Sequence, residues 1–372
     1  MNNYDVAIIG AGICGCSLAY ELHKRGKKVL VFEKKGIASG GSGAAGAFIN
    51  PKISRSGPLK ELIEEAYLYS LGFYTKNFNQ HTTAAPLLHI SKYTDDNEKV
   101  QYFKDHTNLQ TADLPSQTRA RLKTHALSFS SVFLKDSAIV EAKDICQEML
   151  EGVKVVYDRL DRPEQKDGVW CLNDYKADKI VLCTGAYEEV FKEPYISLRA
   201  VYGQRCEVLS ASFMEATVHH EVSVSATKKN GRIAIGASHY LNEKELPIDA
   251  EGAKELIDLA LKSVDLEDVK IQKTFSGMRS GSNDYLPIMG ALVDAQKSLL
   301  YGPSALKGDK EAGLVFVENV YMINGVGGYG FVLAPYLAHL MAEYLVYEKK
   351  IPEFLEPKRF YYRYAKKEGH RK

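Results

Sequence analysis

The sequence predicts an α/β protein in which a parallel-sheet domain is assembled from three separated stretches of chain, with an antiparallel-sheet domain inserted between them. Three observations carry this expectation. Residues 4–9 form an apolar run, residues 14–25 follow a helical pattern stopped by Gly26, and residues 28–32 are apolar again, which together make one βαβ unit. Between 202 and 240 the pattern alternates as in antiparallel strands, and Lys229-Asn230-Gly231 before 232–236 is a strong hairpin turn. Near the end, an apolar run at 320–324 leads through a glycine loop into a helical pattern at 331–347, so the chain returns to a buried strand after the insertion.

The other elements fill in between. A small-residue loop spans 38–46, a long helical pattern spans 59–78, and 84–134 is mixed and polar with few strong signals. A helix from Ala142 leads into a strand at 153–158, and a further strand at 179–183 ends in Thr184 and Gly185. A helix is expected over 250–264 and a strand over 269–275. The expected domains are 1–83, 135–199 and 277–350 for the nucleotide part, 84–134 and 200–276 for the substrate part, and a basic tail at 351–372.

Composition narrows the class. The 372 residues are 45% hydrophobic and 26% charged, enough for a large core, which excludes a disordered or fibrous chain. With 48 Lys+Arg against 47 Asp+Glu, the chain is not built to coat nucleic acid uniformly, and only a local basic patch stays open. Six cysteines without a CxxC pair read as reduced thiols, and no metal site is expected. Asp5 and Glu21 spoil a signal-peptide pattern, while Pro335, His339 and Glu343 interrupt the last apolar stretch as a membrane span, so a cytoplasmic protein is expected.

Gly10-Ala11-Gly12-Ile13-Cys14-Gly15 lies between the first strand and helix, and Glu33 closes the next strand. Gly10 permits the turn, Gly12 lets the backbone approach a pyrophosphate, and Gly15 lets helix and strand pack closely; Glu33 is placed to accept from an adenosine ribose. Two further glycine segments favour FAD over NAD. Ser39-Gly40-Gly41-Ser42-Gly43-Ala44-Ala45-Gly46 follows the acidic strand as a loop of little bulk, and Gly325-Val326-Gly327-Gly328-Tyr329-Gly330 brings a second helix N-terminus toward the ligand. The expected architecture is therefore a discontinuous Rossmann-like FAD-binding domain with an inserted antiparallel-sheet substrate domain.

These segments, taken with residues 180–185, Tyr202-Gly203-Gln204, Gly277-Met278-Arg279, Asp284-Tyr285-Leu286-Pro287-Ile288-Met289-Gly290 and residues 330–335, resemble the D-amino-acid-oxidase superfamily of FAD enzymes over almost the whole chain. The resemblance implies non-covalent FAD and oxidation of a carbon–nitrogen bond next to a carboxylate. It also implies that Arg279 holds that carboxylate. Lys34, Val155, Thr184, Gly185, Arg279 and Tyr329 complete the expected cofactor set beside the glycines and Ser42. Within the superfamily, Asn50-Pro51-Lys52-Ile53, Pro58-Leu59, Ala66-Tyr67-Leu68-Tyr69, the 284–287 stretch, Pro357-Lys358-Arg359-Phe360 and Arg363 look like the oxidase half of the bifunctional tRNA 5-methylaminomethyl-2-thiouridine biosynthesis proteins. That likeness implies removal of a carboxymethyl group from a wobble-uridine side chain. It covers no methyltransferase half, so a separate methyltransferase is the implied partner, and Ala44-Ala45-Gly46 is smaller than the polar residues expected there.

Arg279, Tyr329 and Gln204 are the candidate catalytic residues. A guanidinium fork binds a carboxylate bidentately and keeps its charge in a partly buried cleft. Tyr329 would cover the site or donate to substrate, or simply pack; Gln204 would face the flavin or satisfy backbone. His219 and His220 are adjacent on an expected strand and so point to opposite faces. A carboxymethylaminomethyl group is an N-substituted glycine, so the same arginine serves a modified tRNA or a free amino acid such as glycine, sarcosine, proline or a D-amino acid. Residues 349–372 hold nine Lys or Arg against three Glu, with Phe360, Tyr361, Tyr362 and Tyr364 interleaved. That segment either contacts phosphates and stacks on unpaired bases or docks its aromatics on the body.

Overall fold

The computed structural model describes residues 3–160, 162–187, 190–241, 250–310 and 312–370. Its first sheet has a parallel core in the order Lys154–Val156, Val29–Phe32, Asn3–Ile9, Tyr175–Leu182, Phe316–Asn324. Each central strand is covered on both faces, which is why it reads as a continuous apolar run. Val6 and Ile8 face the cluster built on the helices Ile13–Lys24 and Gly330–Tyr347, while Ala7 and Ile9 face the opposite cluster of Trp170, Leu292, Phe360 and Tyr361. Ile288–Val293 joins the edge antiparallel to Phe316–Asn324.

The helix Gly330–Tyr347 is locked in place by its proline. Pro335 has no N–H for the carbonyl of Phe331 four residues back, and that oxygen instead accepts from the Tyr74 hydroxyl at 3.0 Å. Tyr74 belongs to the helix Pro58–Asn77, which Ser70 ties down a second time through the Val332 carbonyl at 2.7 Å. No helix among the described residues is long and apolar enough to cross a membrane.

The second sheet is mostly antiparallel and is organised by Leu198–Leu209, which pairs along its length with Lys270–Ser282 and on its other side with Ile233–Gly236. The expected hairpin is present: Gly231, at φ 76°, donates to the Lys228 carbonyl at 2.8 Å, and Val224 pairs with Ile235. The polar stretch that gave few signals contributes Leu87–Ile90, Thr111–Ala112 and Ser131–Leu134 to this sheet, with Leu87–Ile90 parallel to Thr217–His219. Strands of two to four residues are too short to show a period.

Two expectations are corrected here. The boundaries placed at 199/200 and 276/277 both fall inside paired strands, because Leu198–Leu209 and Lys270–Ser282 hydrogen-bond across them without interruption. The segment 351–372 is not a loose tail: Lys358–Gly369 is a helix with Phe360, Tyr361 and Ala365 buried, so two of the aromatics proposed to stack on bases are core residues. Arg359 fastens that helix with a two-pronged pair to Asp284 at 3.0 and 3.2 Å, and donates to the carbonyls of Leu286 and Pro287. Residues 371 and 372 lie outside the described residues.

Candidate active site

Two cavities meet end to end over the first βα turn. The narrower, about 150 Å³, is lined by Gly10, Glu33, Lys34, Thr184, Gly185 and Tyr187 among others. The wider, about 430 Å³, shares Gly12, Gly41, Ser42, Gly185 and Met278 with it and extends to Arg279, Gly327, Gly328, Tyr329 and Gly330. The turn between them is possible only without side chains: Gly10 sits at φ 106°, and a Cβ on Gly15 would lie 1.9 Å from the Gly10 oxygen. The helix that starts there has no side chain of its own capping it and no acid in its first turn; the Ile13 N–H donates to Ser42 Oγ at 2.9 Å. Its N-terminus is thus a donor-rich, positive end suited to a pyrophosphate.

Glu33 is held by three backbone amides, those of Ala11 at 2.9 Å, Lys35 at 2.8 Å and Gly36 at 3.3 Å. Beside it, Thr184 Oγ1 and the Tyr187 hydroxyl are buried with no hydrogen-bond partner among the described residues. Buried polar atoms of this kind are costly unless a ligand supplies the partner, and together with the cradle at Gly41, where a Cβ would lie 2.5 Å from the Met278 oxygen, they fit the adenosine and pyrophosphate of a dinucleotide. Of the expected cofactor residues, Gly15, Gly43, Val155 and Gly325 do not line either cavity. Val155 pairs with Val31 inside the sheet, and the wall nearest the ligand comes later in the chain, from Asp158, Arg159 and Leu160. Gly325, at φ 72°, forms the bend behind the loop instead.

Arg279 and Tyr329 meet in the wider cavity; Gln204 does not line it. Strand alternation explains the difference: Gly203 and Arg205 face the cavity, while Gln204 is buried on the other side and donates to the Tyr202 hydroxyl at 3.2 Å. The Arg279 guanidinium passes over Gly203, where a Cβ would lie 2.5 and 2.6 Å from its two terminal nitrogens, and donates to the Ser238 carbonyl at 3.2 Å. Burial lowers its pKa, and no carboxylate pairs with it among the described residues. A cation placed this way calls for an anionic ligand. Burial pushes the Tyr329 hydroxyl up to about 12, so it stays a donor across the ordinary pH range, and Lys52 lies over its ring at 5.5 Å.

Other residues of the site escaped the sequence reading. Arg205 is buried, donates to the Ala44 carbonyl at 2.9 Å and the Gly43 carbonyl at 3.4 Å, and so braces the glycine loop from below. Glu207 pairs with Arg205 at 3.1 Å and with Lys228 at 2.7 Å; these cations hold its carboxyl down at about 2 despite burial. Asn324 accepts from Ser280 Oγ and the Gly325 N–H, both at 2.8 Å, and donates to the Gly185 carbonyl at 3.0 Å, joining three walls of the site. The signals were a charged pair two residues apart on one strand face, Arg205 and Glu207, and a polar residue closing an apolar strand. His89 and His219 also line the wider cavity, with burial lowering them to about 4 and about 3, while His220 turns the other way and bonds Ser263. No Asp or Glu lines that cavity among the described residues.

A family model described as DAO, FAD dependent oxidoreductase, matches residues 5–344. The chain belongs to the DAO family. As a DAO-family FAD-dependent oxidoreductase it takes FAD as cofactor, and the paired cavities and orphaned hydroxyls described above accommodate it. The DAO-family relatives include the tRNA 5-methylaminomethyl-2-thiouridine biosynthesis bifunctional protein MnmC of Campylobacter concisus, 25% identical over 99% of this chain and 61% of the relative, and that of Legionella pneumophila, 22% identical over 95% and 56%. The chain thus spans about three fifths of the length of these relatives. The DAO fold recurs in glycine oxidase from Geobacillus kaustophilus, with TM-score 0.75 and 20% identity over 94% of this chain and 96% of that one. It recurs also in L-proline dehydrogenase from P. horikoshii, with TM-score 0.75 and 17% identity over 96% and 98%.

Proposed function

We propose that this enzyme oxidises the carbon–nitrogen bond of an N-substituted glycine, and that its substrate is the carboxymethylaminomethyl group of a tRNA wobble uridine. The observation that carries the first part is Arg279: a guanidinium without an acidic partner among the described residues, lining the wider cavity and chemically suited to a carboxylate. The second part is supported by the MnmC relatives, which match 95–99% of this chain.

FAD, when bound, supplies a two-electron acceptor. Arg279 grips the carboxylate and fixes which carbon faces the cofactor. The cavity wall offers an incoming ammonium no carboxylate among the described residues, and its guanidiniums favour loss of the amine proton, so the secondary amine is held as the free base. The substrate loses two electrons and two protons to become an imine, and addition of water releases glyoxylate and leaves an aminomethyl group. Methylation of that amine would be a separate reaction. The cleft's lining equally suits a free amino acid, which is the second reading.

The deciding experiment mixes holoenzyme anaerobically with tRNA bearing the carboxymethylaminomethyl group and, separately, with glycine, sarcosine, proline and D-alanine. Bleaching of the flavin by the tRNA at micromolar concentration, lost in Arg279→Ala, is the expected result. Bleaching by a free amino acid alone overturns the tRNA assignment.

A further inference from the structure

An unusual tyrosine stands beside the cleft. The wall strand leaves the cavity at Ser280, Gly281 bridges to the cavity residue Val326, and the chain then turns through Asp284 and Tyr285. Tyr285 adopts φ 65°, a left-handed conformation that bulky residues rarely take, and is 60% exposed. Its ring carries the Arg199 guanidinium at 4.4 Å, and Arg199 also donates to its hydroxyl at 3.0 Å. The turn is stiff: Asp284 accepts from Ser282 Oγ and the Leu286 N–H, and Arg359 clamps the same carboxylate. A flat aromatic surface backed by a guanidinium is thus held out toward solvent by a strained backbone.

The clamp also sets the C-terminal helix next to this tyrosine. With Phe360, Tyr361 and Ala365 turned inward, Arg363, Lys366, Lys367 and His370 occupy the exposed face at i, i+3, i+4 and i+7. Arg363 begins this stripe 3.9 Å from Asp284, with its side chain 67% exposed.

We propose that Tyr285 with Arg199 is a stacking platform for an unpaired base, and that the Arg363, Lys366 and Lys367 stripe takes the phosphates of the same single-stranded RNA loop. A base stacks on an aromatic face or a guanidinium plane irrespective of its identity, and a cationic stripe follows a sugar–phosphate backbone. The stacking residue is therefore an exposed tyrosine of the 282–287 turn, and the C-terminal helix contributes charge alone. This rests on the tRNA reading above and extends it from the reacting group to the rest of the substrate.

The test uses two holoenzyme variants and a fluorescent anticodon stem-loop carrying the modified uridine. Tyr285→Gly removes the ring and relieves the strained backbone, so its melting temperature is expected to equal or exceed that of the parent while its RNA dissociation constant rises about tenfold or more. Arg363→Gln/Lys366→Gln/Lys367→Gln keeps helix-forming side chains and is expected to lower the slope of log affinity against log salt by about 2. Perturbation of the flavin absorbance by acetate, which reads only the Arg279 end, is expected to be the same in all three proteins. Unchanged RNA affinity and salt slope in both variants overturns the surface, and if modified tRNA still bleaches the parent flavin, the functional reading survives. Absence of any salt-dependent RNA binding by the parent overturns the surface too, and absence of flavin reduction by the tRNA overturns the functional reading.

Discussion

Gly203→Ala isolates the placement of Arg279 from every other property of the site. Gly203 does not sit in the left-handed region, so alanine is acceptable to the backbone and the difficulty is space alone. The new methyl would lie 2.5 and 2.6 Å from the Arg279 terminal nitrogens and 2.7 Å from the Ser238 carbonyl, the group that holds the guanidinium. Ordinary carbon contacts begin near ~3.5 Å, so the guanidinium must withdraw by about 1 Å, a misplacement on the scale that costs roughly 100-fold. Acetate titrated against the flavin absorbance should bind 10- to 100-fold more weakly, with FAD content retained, because Gly203 does not line the narrower cavity at Gly10, Glu33 and Thr184. Paired with Arg279→Ala the effect should vanish, since no guanidinium remains to displace. Acetate affinity within threefold of the parent, or an equal loss in the Arg279→Ala background, would refute the assigned role of Gly203.

Three other outcomes follow from the same geometry. Thr184→Val and Tyr187→Phe each remove a buried hydroxyl that has no partner among the described residues, so FAD should dissociate about 3- to 10-fold more readily while the apoprotein melts no lower, as seen by fluorescence titration and calorimetry. Glu207 has a folded pKa of about 2 against an ordinary value near 4.5; its contribution is present above about pH 4.5 and lost as pH falls toward 2, and Glu207→Gln should cost about 3 kcal/mol in urea unfolding at pH 7. His89 and His219 stay neutral down to about 4 and about 3, whereas the unfolded chain takes up those protons below about 6.5. Stability should therefore fall as pH drops from 6.5 toward 4, and His219→Phe should flatten that fall by up to about 1.4 kcal/mol per pH unit.

The cofactor half was legible because its determinants are local. The turn at Gly10, the cap at Gly12 and the acid at Glu33 lie within one βαβ unit, and strands buried on both faces announce themselves as apolar runs. The substrate end was less legible because its residues come together across a sheet. Arg279 stands out in the sequence as an arginine, but the floor that admits it is Gly203 on the neighbouring strand, set by a register that no local pattern reports. Gln204 was misjudged by one position, and on a strand one position exchanges the faces. The C-terminal segment was left between two readings for a different reason: its charge composition matches a solvated tail, yet residues 360, 361 and 365, which are buried, recur at helical spacing.

The strand order of the first sheet bears on when the cofactor pocket can close. Asn3–Ile9 is flanked by Val29–Phe32 and Tyr175–Leu182, and the next neighbour, Phe316–Asn324, lies much further along the chain. The opening turn is thus backed by a sheet whose strands come from segments remote in sequence, so it is completed only after long-range pairing. A chain cut short of Phe316–Asn324 should remain colourless however long it is given with the vitamin-derived ligand, which makes pigment itself a reporter of a closed sheet.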